Sequence, residues 1–127
     1  MRTSTHIAND DPGLAAFDVV LDLLDIEIDE AQLRSWSARS PLGVPEILRC
    51  ADEAELAARV LKLTWDRLAD TPFPGIAALR GGGFLLIGKD KGDEAAVLMP
   101  GAERPTLVTR SQFEAGWDGR LIVWGKR

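Results

Sequence analysis

The sequence contains one cysteine, Cys50, and one histidine, His6. A cysteine or serine hydrolase needs a base beside its nucleophile, and histidine is the usual base near neutral pH. His6 lies in residues 1–10, which we predict to be a flexible lead-in because chain termini are generally poorly ordered. Cys50 falls on the inward side of a predicted helix, where a free cysteine usually behaves as a small buried hydrophobe. The residues alone therefore do not predict a nucleophilic site.

Metal and phosphate sites are not predicted either. A typical zinc site needs more ligands than one histidine and one cysteine can supply. Asp90, Asp93 and Glu94 surround Gly92 without the spacing of an EF-hand, and we interpret them as a solvated turn. The run Gly81-Gly82-Gly83 lacks the lysine and the hydroxyl residue of a phosphate-binding loop, so we interpret it as a turn between strands. We predict no metal ion and no cofactor, although a carboxylate pair of the glycosidase type stays open among the twenty acidic residues.

The tryptophans are candidate contacts for a binding partner. Trp65 and Trp117 fall at the ends of predicted elements, and Trp36 closes a short predicted helix. Packing in the core or at its edge accounts for each of them. An aromatic side chain that lines an open groove is also a common anchor for a peptide partner. Both interpretations stay open at this point.

Length and charge restrict the class of protein. A chain of 127 residues fits one domain that buries a core without metal or disulfide support. The net charge of −5 argues against long-range attraction to nucleic acid or to anionic lipid. No apolar run approaches the roughly 18 residues of a membrane span, and the first residues lack the apolar stretch of a secretory signal. We therefore expect a single soluble, intracellular domain over residues 11–127 that does not itself insert into a membrane.

Three helices are predicted in the first part of the chain. Asp11 is a good N-cap and Pro12 a good first helical residue. Apolar residues then recur at helical spacing as far as residue 24, with Leu23 on the apolar stripe and Asp18 largely off it. Asp29 can cap a shorter helix that runs through Trp36. Pro45 begins a third helix that ends at about residue 54.

The apolar spacing becomes that of strands after residue 57. Residues 57–63 suit a strand, and a single helical turn follows at 64–68. Short apolar runs separated by turns then predict a β-meander, with strands at 75–79, 84–88 and 95–99. A fourth short strand follows at 106–108. Thr109 and Gln112 then have capping-box spacing for a small helix that holds Phe113, and a last strand at 121–124 completes the pattern. Helices followed by an antiparallel sheet predict the α+β class.

A series of short segments, in this order, resembles one known family. The order of the segments carries the resemblance more than any single motif, and it covers residues 11 to 124. The segments are Asp11-Pro12-Gly13-Leu14-Ala15-Ala16, Ile26-Glu27-Ile28-Asp29-Glu30-Ala31-Gln32-Leu33, Val44-Pro45-Glu46-Ile47-Leu48-Arg49-Cys50-Ala51, Pro74-Gly75-Ile76-Ala77, Gly82-Gly83-Phe84-Leu85-Leu86, Thr109-Arg110-Ser111-Gln112-Phe113-Glu114 and Trp117-Asp118-Gly119.

These segments look like the papain-like peptidase domain at the N-terminus of bacterial ABC exporters. Active members cleave double-glycine leader peptides from bacteriocins, whereas a related set on haemolysin-type (RTX) and adhesin-type type I secretion transporters lacks activity. The resemblance implies a papain-like cysteine peptidase fold, with N-terminal helices packed on a C-terminal antiparallel β-sheet.

The resemblance also assigns the positions at which active members carry their chemistry. The nucleophilic cysteine would fall on Pro12, the histidine on Gly83 and the orienting aspartate on Met99. None of these three residues can replace the group that it stands for. The expectation is therefore a catalytically degenerate domain that is not an enzyme, with Trp65, Trp117 and Phe84 as candidate substrate contacts.

By the same resemblance, the domain would lie on the cytosolic side of the bacterial inner membrane. Its partners would be the membrane and ATPase domains of a parent exporter and an unfolded secreted protein of the RTX type, and this chain would be an N-terminal fragment of that layout. Such substrates are acidic, as is this chain, so we expect contact to be mainly apolar and backbone-mediated, with an affinity that changes little with salt.

Two other functions compete with this expectation. One is a stand-alone protein-binding or scaffold domain of the same fold, which a membrane segment and an ATPase encoded downstream in the same reading frame would exclude. The other is an active hydrolase, which clean cleavage of a double-glycine leader peptide would reveal.

Overall fold

The computed structural model describes residues 11–39, 41–71, 74–89, 92–100 and 102–125. The predicted lead-in over residues 1–10, with His6, and the turn residue Asp90 lie outside the described residues.

Three helices open the fold, α1 (Pro12–Leu23), α2 (Glu30–Ser37) and α3 (Val44–Glu53). The first two begin where the sequence supplies a capping carboxylate. Asp11 accepts hydrogen bonds from the Gly13 and Leu14 N–H groups, at 3.1 and 3.3 Å. Asp29 accepts one from the Gln32 N–H at 2.8 Å. These bonds satisfy N–H groups that the first turn of a helix leaves without an intrahelical partner.

Six strands and two short helices follow: β1 (Ala57–Lys62), α4 (Trp65–Leu68), β2 (Gly75–Leu79), β3 (Phe84–Lys89), β4 (Glu94–Leu98), β5 (Thr106–Thr109), α5 (Arg110–Gly116) and β6 (Trp117–Gly125). The strands form one antiparallel sheet in the order β1-β6-β2-β3-β4-β5. Strands β2 to β4 form the predicted meander, β5 extends it, and the last strand crosses back to pair with both β1 and β2.

The sheet carries a hydrophobic core on each side, because successive strand residues point to opposite faces. On the first side, called the helical face here, α1 and α3 pack on Ile76, Phe84 and Ile122. On the opposite face, α4 and α5 pack on Leu85 and Leu121. This arrangement confirms the α+β class, with the N-terminal helices packed on an antiparallel sheet.

Two details differ from the sequence prediction. Asp18 in α1 is only 2% exposed although it was placed off the apolar stripe, and Leu23 is 50% exposed although it was placed on it. Strand β6 begins at Trp117, four residues before its predicted start. A register shift against β2 and the positive φ of Gly119 (95°) let the strand accommodate the Trp117–Gly119 segment.

Candidate functional site

A groove of about 360 Å³ opens beside the N-terminus of α1, between the segment that enters α3 and the β2–β3 hairpin. Its walls combine apolar side chains with glycine backbone, which allows a polypeptide to approach closely. A second feature is that one acidic and one basic side chain face it. The lining residues are Pro41, Leu42, Gly43, Val44, Glu46, Ala78, Leu79, Gly82, Gly83, Phe84 and Arg120.

One buried carboxylate fixes this groove to the start of α1. Asp11 is 1% exposed, and besides capping the helix it accepts a hydrogen bond from the Leu42 N–H at 3.0 Å. The contact is tight, since a Cβ built on Gly13 would approach the Leu42 carbonyl oxygen to 2.3 Å. Pro12, the predicted nucleophile position, is therefore an exposed residue between two residues that hold the groove wall.

The opposite wall is the tip of the β2–β3 hairpin. Gly83 accepts a hydrogen bond from the Leu79 N–H at 2.9 Å, and Gly82 takes a positive φ of 94° that favours glycine. Gly83 and Phe84 both line the groove. Phe84 is 6% exposed and also belongs to the core of the helical face. It therefore forms part of the buried floor of the groove and does not project into it as an exposed anchor.

Arg120 gives the groove a positively charged wall. Its guanidinium donates from Nε and Nη2 to Asp118 Oδ2 at 3.0 and 2.8 Å, and its backbone N–H donates to Oδ1 at 2.8 Å. Burial raises the pKa of Asp118, but the hydrogen bonds from Arg120 outweigh burial and hold that pKa below its ordinary value. The same pairing raises the pKa of Arg120. The pair thus stays ionised and fixes the direction of the guanidinium.

Met99 does not line this groove. It is 48% exposed and lines a separate apolar pocket of about 320 Å³ with Leu85, Val97 and Phe113, residues of the opposite-face core. The structure therefore brings Gly83 and Phe84 together beside the α1 terminus, while Met99 lines a different pocket. Leu79 contributes to both.

The two tryptophans predicted as candidate substrate contacts lie in the core of the opposite face. Trp65 is 1% and Trp117 5% exposed. Phe113 packs between them, with ring centroids at 5.9 Å from Trp65 and 4.9 Å from Trp117. The Trp117 indole N–H donates to the Arg120 carbonyl oxygen at 2.8 Å, which ties the opposite-face core to the strand that carries the groove cation. Packing in the core or at its edge was the first interpretation of these residues, and their burial agrees with it.

The sequence did not indicate that Arg120 and Leu42 line a groove. The short spacing of Asp118 and Arg120 could have signalled a local ion pair. Nothing in the sequence predicts that Leu42 meets Asp11, because 31 residues separate them.

Cys50 lies in the helical-face core, fully buried. Burial raises the pKa of its thiol to about 11, against a smaller opposing effect of Arg39, whose Nη1 is 4.0 Å from the sulfur. A reactive cysteine needs the reverse, an accessible thiol with a lowered pKa. His6 lies outside the described residues. Over the described ranges, no three histidine, cysteine or acidic side chains are grouped to hold a metal ion, and no helix has the length and apolarity to cross a bilayer.

Comparison with solved structures defines the class of this fold as that of ABC-transporter peptidase domains. A double-glycine-motif protease from an AMS/PCAT transporter, solved with its leader peptide, matches with a TM-score of 0.80 and 18% identity over 96% of this chain and 89% of that one. The peptidase domain of Streptococcus ComA matches with a TM-score of 0.80 and 18% identity over 96% of both chains. The C39-like domain of a Vibrio parahaemolyticus toxin secretion ATP-binding protein matches at 0.78 and 18%, over 94% and 100%.

The chain belongs to the peptidase C39 family, whose model matches residues 3–127. No curated protein matches it. The predicted papain-like peptidase fold is confirmed by these comparisons.

Membership of a peptidase family corrects the prediction that this chain is not an enzyme. That prediction rested on three aligned positions, Pro12, Gly83 and Met99. The family match extends over nearly the whole chain and indicates a peptidase. Three positions taken from a resemblance do not outweigh a match of that extent.

Proposed function

We propose that this chain is the peptide-recognising domain of an ABC exporter of the type I secretion class, and that an extended segment of the export substrate binds in the groove between Leu42 and Phe84. The observation that carries the proposal is the groove itself, which lies between the segment that enters α3 and the β2–β3 hairpin in a peptidase C39 domain. Its glycine-rich wall suits backbone contact with an unfolded chain, since glycine lets another backbone approach closely.

The proposed role in an exporter also implies a location and partners for the domain. The domain, residues 11–127, would lie on the cytosolic side of the inner membrane, joined to the membrane and ATPase domains of the exporter. The likeness to the domain of a toxin secretion protein supports an RTX-type substrate. Pro12 and Gly83 would then border the bound segment. Cleavage is the activity that family membership indicates, so recognition and cleavage are measured together.

The test is a substitution that places a large side chain in the groove. A Cβ at Gly83 would meet only Leu79 Cδ1, at 3.6 Å, and its φ is not positive, so Gly83→Phe places a large side chain at the groove without backbone strain. Gly81→Phe is the matched control, because a Cβ there meets nothing within 4 Å and Gly81 does not line the groove.

The measurement is an NMR titration with a denatured RTX-type protein and with a double-glycine leader peptide, the latter also followed for cleavage by mass spectrometry. We expect amide shifts around residues 42–46 and 78–84 in the wild type. Gly83→Phe should weaken binding at least about tenfold, whereas Gly81→Phe should bind as the wild type does. Equal binding by both variants, or no shift in the wild type, would refute the proposal.

The groove also predicts how binding responds to salt. Because most of its lining is apolar or glycine backbone, affinity for a neutral segment should change little as salt is added. Titrations at several concentrations of sodium chloride measure this, and a steep loss of affinity would contradict an apolar contact.

A further inference from the structure

The groove has a fixed cation that the proposed backbone contacts do not use. Arg120 lines it, and the guanidinium is held in one direction by Asp118. An arginine side chain has five N–H donors, of which Asp118 engages one on Nε and one on Nη2. Within the described part of the chain, Nη1 has no hydrogen-bond partner. The side chain is 46% exposed and lines the groove.

The charges around Arg120 leave an excess of positive charge there. Lys62 lies directly opposite Arg120 in the β1–β6 ladder, where opposing Cβ atoms are about 5 Å apart. Its charge contributes to lowering the pKa of Asp118. One carboxylate therefore faces two cations at this end of the groove.

Glu46, the acidic residue in the groove lining, does not neutralise this excess. Its Oε1 accepts the Gly43 N–H at 2.9 Å, in the first turn of α3. That turn is the positive end of the helix dipole, which offsets part of the carboxylate charge. Among the described residues, the ion pairs of Arg120 do not include Glu46.

We propose that Arg120 determines specificity by binding one acidic side chain of the peptide segment in the groove. The substrate class is then an extended, otherwise uncharged segment with an aspartate or glutamate at one fixed register. A carboxylate there would receive charge-assisted hydrogen bonds from Nη1, while the rest of the segment follows the apolar and glycine wall. This inference rests on the proposed function and names a preference within it.

The test uses fluorescein-labelled peptides of leucine, glycine and serine that carry one aspartate at successive positions, each with an asparagine twin, and measures affinity by fluorescence anisotropy. Wild-type protein should bind the aspartate peptide roughly three- to tenfold tighter than its twin at one register. Added salt should reduce that preference and leave the twin unaffected.

Arg120→Gln should abolish the preference for the aspartate peptide over its asparagine twin. Lys62→Gln should reduce the preference in part. Arg34→Gln is the control, because Arg34 is also paired with a carboxylate, Glu30 at 3.4 Å, but lies on the exposed surface of α2 and not in the groove. It should retain the full preference.

Equal binding of both twins by the wild type, or a preference that survives in Arg120→Gln, refutes the role of Arg120 and leaves the proposed function standing. An equal loss for both twins in Arg120→Gln would show a structural role only. Absence of binding to every peptide refutes the inference together with the proposed function.

Discussion

At the scale of single residues, the carboxylate of Asp11 connects two distant parts of the chain. It is buried and accepts hydrogen bonds from the Gly13, Leu14 and Leu42 N–H groups, so it joins a helix terminus to a loop that is distant in sequence. A buried carboxylate is stable only when such donors surround it. The sequence identified Asp11 as a cap; its contact with Leu42 makes it part of the groove as well.

Removing this carboxylate should be costly. We expect Asp11→Ala to lower the free energy of unfolding by about 2–4 kcal/mol, because a cap and a tertiary hydrogen bond are lost together. Asp29→Ala, which removes an exposed cap of α2 only, should cost about 1 kcal/mol. Urea denaturation followed by circular dichroism measures both. Similar losses for the two variants would contradict the tertiary role of Asp11.

Cys50 should make stability depend on alkaline pH. Its folded pKa is raised from 9.0 to about 11. Below pH 9 the thiol is protonated in both states, so its contribution is complete; as pH rises towards 11 the unfolded chain ionises first and the contribution is lost. The loss should reach roughly 2–3 kcal/mol near pH 11.

The comparison with Cys50→Ala isolates this effect from other titrating groups. The wild type should lose more stability than the variant between pH 9 and 11 in urea denaturation. Alkylation by iodoacetamide should in addition be slow in the native protein and fast after unfolding. Parallel pH profiles, or rapid native alkylation, would contradict the burial of a protonated thiol.

At the scale of elements, local signals predicted most of the fold. Asp11, Asp29 and Thr109 were identified as caps from their side chains, and each cap is present. Strands could be identified from apolar alternation and turn residues. Properties that depend on distant contacts could not be predicted: the burial of Asp18, the early start of β6, and the choice between core packing and groove contact for Trp65 and Trp117. The groove itself could not be predicted, because its two walls come from segments about forty residues apart.

The approach of α1 to the Leu42 segment gives a prediction at this scale. Gly13→Ala would force a Cβ to 2.3 Å from the Leu42 carbonyl oxygen, so helix and loop must separate. We expect a loss of about 1–3 kcal/mol, the range of overpacked sites, although alanine favours helix more than glycine does.

Gly81→Ala serves as the control, since its Cβ meets nothing within 4 Å. It should be neutral or slightly stabilising in thermal denaturation, because it restricts the unfolded chain without a clash. A neutral Gly13→Ala would show that the contact between α1 and the groove wall is loose.

At the scale of the whole molecule, one sheet is the common wall of two cores, and each core holds two tryptophans. Trp36 and Trp124 pack against Phe17 on the helical face, with ring centroids at 5.3 and 5.6 Å. Trp65 and Trp117 pack against Phe113 on the opposite face. Strands β2, β3 and β6 contribute side chains to both cores. Loss of packing in either core would therefore expose strands that also support the other core.

This shared sheet predicts a single cooperative unfolding transition. Two double variants report on the cores separately: Trp65→Phe with Trp117→Phe leaves the helical-face pair, and Trp36→Phe with Trp124→Phe leaves the opposite-face pair. The substitutions will shift stability, so each fluorescence transition is compared with the far-ultraviolet circular dichroism of the same variant. We expect the two midpoints to coincide in both variants, because the reporters share their strands. A fluorescence midpoint below the dichroism midpoint in one variant alone would mean that one core opens while the sheet persists, and the groove, which depends on the helical-face core, would then have a stability of its own.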